Sequence, residues 1–264
     1  MENALLIGLS RQIGLHRELE VIANNIANVN TTGFKADQAI FHEFLMPGAS
    51  HGHFPGEDRR LSYVHDRATW HDFRPGALQQ TGNPLDLAID GDAFFVVQTP
   101  RGERYTRNGA LKINAAGQLV TSEGYQVQSE SGQILFQNND SKIAIAEDGT
   151  IRVREGTDTR SDAQRGKLRI VRFDQVQRLQ KDGSGLFSAP ADLVPQPPPV
   201  PQPPQATQRY RVMQGYLEQS NVRSVVEMSR MVEITRHYTM MAGMLQQHGD
   251  MRRNAIDKLA EVPV

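Results

Sequence analysis

From Glu2 to about Asn28 apolar residues recur at helical spacing, with Leu5, Leu9, Ile13, Leu19, Ile22, Ala23 and Ile26 on one stripe. No proline interrupts this stretch, and no glycine follows Gly14. The pattern predicts one amphipathic helix of about seven turns. It ends in an Asn-rich run through Thr31, Thr32 and Gly33, where Asn side chains compete for backbone hydrogen bonds and Gly33 tolerates positive φ. A helix stop followed by a turn is expected there.

A second helical pattern runs from about Asn221 to Leu259, with Ser224-Val225-Val226-Glu227 as a capping box near its start. Its apolar residues fall in two rows. Met231, Ile234, Tyr238, Met241 and Leu245 form one; Val225, Met228 and Val232 form the other, continued weakly by Thr235, Thr239 and Ala242. An ordinary buried helix shows similar periodicity. However, two rows ask for neighbours on two sides, and the chain has only one other long helix to offer.

Residues 76–189 read differently. Short alternating apolar runs are punctuated by glycines at 91, 102, 109, 117, 124 and 132, which predicts an antiparallel β domain. Its candidate core is Leu87, Ile89, Phe95, Val97, Leu111, Ile113 and Val120. A domain with its own core leaves the helical stripes to be buried against each other or against other chains.

Two connectors complete the layout. Residues 46–75 hold Pro47-Gly48, Pro55-Gly56 and four of the eight His, and read as an extended connector. Residues 190–208 form a Pro-rich spacer, with eight of the 14 Pro between 190 and 204. Such a tract favours polyproline II, which makes it a stiff spacer or a docking ligand for a Pro-reading groove. The domains are therefore 1–45 (N-terminal helix and Asn-rich turn), the connector, the β domain, the spacer, and 209–264 (C-terminal helix). The fold class is α+β.

Composition narrows the chemistry. Twenty-nine Lys plus Arg against 30 Asp plus Glu give a formal charge of −1, too little net field to hold nucleic acid. With no Cys there is no disulfide, thiolate nucleophile or Cys-bound zinc. No run approaches the ~18 apolar residues of a membrane span. Met1-Glu2-Asn3 lacks the basic start of a secretory signal, so neither membrane insertion nor export with a cleaved signal peptide is expected.

No catalytic, metal or cofactor site is expected. His51 and His53, with His42, His65 and His71 nearby, lack the spacing of a zinc site. Asp86, Asp90 and Asp92 suggest a glycosidase pair or a calcium loop but match neither in detail; a polar strand face explains them. Arg101, Arg104 and Arg107 surround a hairpin and read as surface residues, with Tyr105 alone a poor base-stacking platform.

Three stretches together resemble the axial proteins of the bacterial flagellum, and among them the basal-body rod proteins. The first is Ala23-Asn24-Asn25-Ile26-Ala27-Asn28-Val29-Asn30-Thr31-Thr32-Gly33-Phe34-Lys35. The second joins Thr81-Gly82-Asn83-Pro84-Leu85-Asp86-Leu87-Ala88-Ile89-Asp90-Gly91-Asp92-Ala93-Phe94-Phe95 to Tyr105-Thr106-Arg107-Asn108-Gly109. The third is Gly215-Tyr216-Leu217-Glu218-Gln219-Ser220-Asn221-Val222, followed by Glu227-Met228 and Met231-Val232. The opening residues and length most resemble the F-type proximal class, with distal rod or hook-type axial proteins as the alternative. Ala93 departs from the glycine common at that position, and the Pro-rich tract resembles an insertion.

The resemblance implies that the terminal helices form a coiled-coil-like inner domain and the β domain an outer one. It also implies a structural role, with subunits stacking helically into a shaft that transmits torque for motility. The expected inter-subunit packing residues are Leu5, Leu9, Ile13, Leu19, Ile22, Ile26, Val225, Met228, Met231, Val232, Ile234, Tyr238, Met241 and Leu245. Implied partners are other rod proteins, further copies of the chain and the flagellar type III export apparatus, with location in a basal body spanning the periplasm. An oligomeric surface adhesin shares the helix and strand patterns and is the alternative of another class.

Overall fold

The computed structural model describes residues 2–45, 62–137, 139–155, 162–197 and 210–260. The chain divides into a helical unit, Met1–Ala27, Asp37–Asp72 and Arg223–Val264, and a β unit, Asn28–Ala36 and Phe73–Val222.

In the helical unit, α1 (Glu2–Ala27) and α2 (Ser224–Ala260) pack through Leu15, Ile22 and Ile234, with Leu19, Ile26 and Tyr238 half-buried beside them. Arg230 on α2 reaches Glu18 on α1, with Nη2 2.6 Å from Oε1. At 26 and 37 residues, α1 spans about 39 Å and α2 about 56 Å at 1.5 Å per residue. One helix cannot cover the whole length of the other.

An antiparallel ribbon of Asp37–Leu45 and Ser62–His71 completes this unit, in register from Asp37 opposite His71 to Leu45 opposite Ser62, with a bulge at Ile40/Phe41. It corrects the expectation of an extended connector over 46–75, since 62–71 is a paired strand. The strands carry the β-formers Ile40, Phe41, Tyr63, Val64 and Trp70, but a Pro-, Gly- and His-containing stretch separates them. Residues 46–61, including His51 and His53, lie outside the described residues, as do residues 198–209 of the spacer.

The β unit is antiparallel throughout. Its main sheet runs in the order Gln180–Lys181, Leu186–Ser188, Gly102–Thr106, Phe94–Thr99, Gln126–Ser129, Leu119–Thr121 and Leu111–Ile113. Gly132–Gln133 pairs with Gln126–Ser129 and Ile170–Val171 with Phe94–Thr99, and Asp140–Ile145, Thr150–Glu155 and Asp162–Lys167 make a second sheet.

Strand Phe94–Thr99 is buried on both faces. Phe95 and Val97 join Leu87, Ile89, Leu111 and Leu119 on one side; Phe94 and Val96 join Tyr105, Phe173 and Phe187 on the other. Ile113 is the exception among the expected core residues, at 36% exposure on the strand that ends the main sheet.

Two further ribbons change the expected boundaries. Tyr210–Gln214 pairs with Leu87–Gly91, and Tyr216–Glu218 pairs with Leu78–Gln80. Residues 210–222 therefore belong to the β unit rather than to the C-terminal helical half, and residues 28–36 join them there. Gly215, at φ +77, turns the chain between the two short strands, where a helix cannot continue.

Candidate functional site

Three distant segments meet inside the β unit. Lys35 and Glu218 are fully buried, at 0% exposure each, with Nζ 2.6 Å from Oε1. Lys35 Nζ also donates to Arg74 O at 2.9 Å. The backbone N–H of Gly76 donates to the same Glu218 oxygen at 2.9 Å. Arg107, 2% exposed, approaches the other carboxylate oxygen with Nη1 at 3.5 Å and donates to Ile89 O at 3.2 Å and Gly91 O at 2.6 Å. One carboxylate thus serves two buried cations.

Burial pushes the Arg107 guanidinium down from its ordinary pKa, and the charges of Glu218 and Asp92 oppose that shift. A guanidinium remains protonated at neutral pH, so the junction holds two positive charges against one buried negative charge. The Phe94 ring lies 4.9 Å from Arg107 Cζ, which sets the ring's negative face toward the cation. The expectation that Arg107 is a surface hairpin residue is corrected here. Its hairpin position is unexceptional, but its countercharge comes from Glu218, far along the chain.

The N-terminal turn is fitted to this junction. Gly33 has φ +68, and a Cβ there would lie 2.5 Å from the Arg107 carbonyl carbon. Its N–H donates to Glu218 O at 2.7 Å. Asn221 ties the same segments together, since its Oδ1 accepts from Ala36 N at 2.8 Å and its Nδ2 donates to Arg74 O at 3.1 Å. Val222 packs with Phe34 and Ala36, and Ser220 Oγ accepts from Val222 N at 3.3 Å.

The other signature residues have local structural roles. Asn25 is buried and exchanges two hydrogen bonds with the Asp37 backbone, at 2.8 and 2.9 Å. Asn28 accepts from Thr31 Oγ1, Asn24 and Asn30 are exposed, and Thr32 is half-buried. Asp86 holds the Gly82-Asn83-Pro84 turn by accepting from Thr81 Oγ1 at 2.6 Å and Asn83 Nδ2 at 3.0 Å. Asp90 is exposed near Arg211. Ala93 is buried and is not among the positive-φ residues, so its departure from glycine needs no unusual backbone. Among the described residues no three His, Cys, Asp or Glu side chains converge as metal ligands, and no helix is long and apolar enough to cross a membrane.

The expected packing residues separate into covered and open sets. Ile22 and Ile234 are buried, and Leu19, Ile26, Tyr238, Met241 and Leu245 are half-buried. Val225, Met228 and Val232 are 76%, 52% and 53% exposed, and Leu9, Ile13 and Met231 are also exposed. The side chain of Leu5 lies outside the described set. Leu15 and Val21, outside the expected stripe, are buried instead.

Comparisons match the same three segments. Residues 5–35 match the family described as flagella basal body rod protein, 88–153 the flagellar hook protein FlgE/F/G D1 domain, and 213–258 the flagellar basal body rod FlgEFG protein C-terminal region. Each stretch contributes one junction charge: Lys35, Arg107 and Glu218 respectively. The flagellar basal-body rod protein FlgF of Caulobacter vibrioides is 35% identical over 265 residues, covering 99% of this chain and 100% of that protein. The chain belongs to the bacterial flagellar basal-body rod protein family.

FlgF of Rhizobium meliloti is 32% identical, with 98% of each chain covered, and FlgF of Escherichia coli 31%, with 95% of each covered. These full-length matches support an F-type rod protein, a structural component of the flagellum basal body and not an enzyme. The buried junction is accordingly an element of construction, and the adhesin alternative is not favoured.

Proposed function

We propose that this rod protein stacks with copies of itself and with other rod proteins, proximal and distal, into a helical shaft that transmits torque for motility. One observation carries the reading: α1 covers Ile234 and Tyr238 of α2 but leaves Val225, Met228, Met231 and Val232 exposed, and Leu9 and Ile13 of α1 are exposed as well. An exposed apolar row of this kind marks an association surface. Head-to-tail contacts that do not close into a ring generate a filament. Leu5, Met231, Met241 and Leu245 belong to the same proposed packing, in which the terminal helices form a coiled-coil-like inner domain and the β unit an outer one.

The assembled shaft spans the periplasm, and the chain reaches it through the flagellar type III export apparatus. The absence of Cys suits such a route, since a chain that folds after export carries no thiols to mispair. Electron microscopy of basal bodies carrying a label within residues 190–197 tests the placement. Label along the rod is expected; label confined to the cell surface or absent from basal bodies would contradict it.

A further inference from the structure

The chain passes between its helical and β units at four places, 27/28, 36/37, 72/73 and 222/223. Inside the β unit, three of these crossings are fastened to one another within a few residues of the crossing itself. Ala36 N and Arg74 O both bond the Asn221 side chain, Asn221 N donates to Phe34 O at 3.4 Å, and Lys35 Nζ bonds both Arg74 O and Glu218 Oε1. Arg107 fastens the same carboxylate to Leu87–Gly91 through Ile89 O and Gly91 O.

We propose that Lys35, Glu218, Arg107 and Asn221 form a mechanical clasp. It makes the three crossing segments one cooperative unit, so that force passing between helices and β unit loads them together. Bonds loaded in parallel share the force, whereas a single attached strand is peeled one bond at a time. Burial makes the clasp all-or-none, because loosening any segment strands a charge in an environment without water. The torque-bearing part of this inference rests on the shaft reading above; the cooperative opening does not.

Native-state hydrogen exchange on the full-length chain tests it. The amides of Gly33, Ala36, Gly76 and Asn221 are expected to share one opening equilibrium, more frequent than that of Val97 in the main sheet. In Glu218→Gln, the amide group accepts from Lys35 but turns a donor toward Arg107. Breaking a buried pair in this way is expected to raise opening of all four amides by about a hundredfold while Val97 is unchanged. Arg101→Ala, at an exposed ion pair with Asp182, is expected to change none of them. Independent opening of the four amides in wild type, or unaltered exchange in Glu218→Gln, would overturn the clasp.

If Glu218→Gln fails to fold, the wild-type measurement still decides whether the unit is cooperative. In cells, Glu218→Gln is expected to swim in dilute medium and stall as viscosity rises; equal swimming at every viscosity would overturn the mechanical role. Normal motility after deletion of the whole chain would instead remove the shaft reading and leave the exchange result standing.

Discussion

Gly109→Ala is expected to prevent the β unit from closing. A Cβ at this position would lie 1.7 Å from the carbonyl oxygen of Leu87 and 2.7 Å from its carbon. Neither backbone can retreat freely: Leu87 N donates to Gly109 O at 3.0 Å, and Leu87 is fully buried on a strand paired with Tyr210–Gln214. A clash of this kind belongs with the overpacking and strain effects that exceed about 4 kcal/mol. Against a total stability of ~5–15 kcal/mol, that removes much of the margin. Thermal unfolding of the purified variant is expected to fall by about 10 °C or more, with poor soluble yield. Gly243→Ala is the comparison, because it sits inside α2 and, apart from the adjoining helix backbone and chain neighbours, nothing lies within 4 Å of its added Cβ. There the same substitution is expected to stabilise by ~0.5–1 kcal/mol. A Gly109→Ala protein as stable as wild type would contradict this close approach of the Gly109 and Leu87 backbones.

Ile234→Asp is expected to abolish motility while leaving the β unit folded. Ile234 is 5% exposed and meets Leu15 and Ile22, so a carboxylate there loses its water without gaining a cation in that cluster. Losing the isoleucine contacts alone costs about 2–5 kcal/mol, and the buried charge adds to it. α2 then separates from α1. The Phe94, Tyr105, Phe173 and Phe187 cluster lies wholly within the other unit and should keep its near-ultraviolet signal. Complementation of a strain lacking the chain, read in soft agar, tests the first part, and the near-ultraviolet spectrum tests the second. Wild-type swimming in the variant would contradict the role assigned to this helix contact.

Legibility in the sequence followed how local each determinant was. The Asn-rich stop lies within a residue of the observed end of α1 at Ala27, and α2 begins at Ser224, the first residue of the expected capping box, although Glu227 N donates to the Arg223 carbonyl at 3.0 Å. Both signals act over one turn. Alternation exposed the central strands, because burial on a sheet has a period of two. Burial of both faces of Phe94–Thr99 needed the three-dimensional neighbours of each residue. Ile113 has the same alternation as a core residue but lies on the last strand of the main sheet, where fewer neighbours cover it.

Pairing between distant segments was the least legible. Asp37–Leu45 and Ser62–His71 are separated by a stretch that breaks any local hairpin pattern. Tyr210–Gln214 and Tyr216–Glu218 are too short to announce themselves as strands, and their partners lie more than a hundred residues earlier. The same distance concealed the buried junction. Lys35, Arg107 and Glu218 each stand in a recognisable motif, yet nothing near any of them in the chain supplies its countercharge. A charged residue repeated in three separate signature stretches was the available signal.

Methionine footprinting with hydrogen peroxide tests most directly the claim that the open row of α2 is a subunit contact. Peroxide converts an accessible thioether to a sulfoxide and is itself reduced to water. In the isolated chain Met228, Met231, Met240 and Met244, all exposed, should oxidise readily. In intact basal bodies Met228 and Met231, beside Val225 and Val232, are predicted to be protected. Equal oxidation of Met228 and Met231 in the free chain and in basal bodies would contradict that claim.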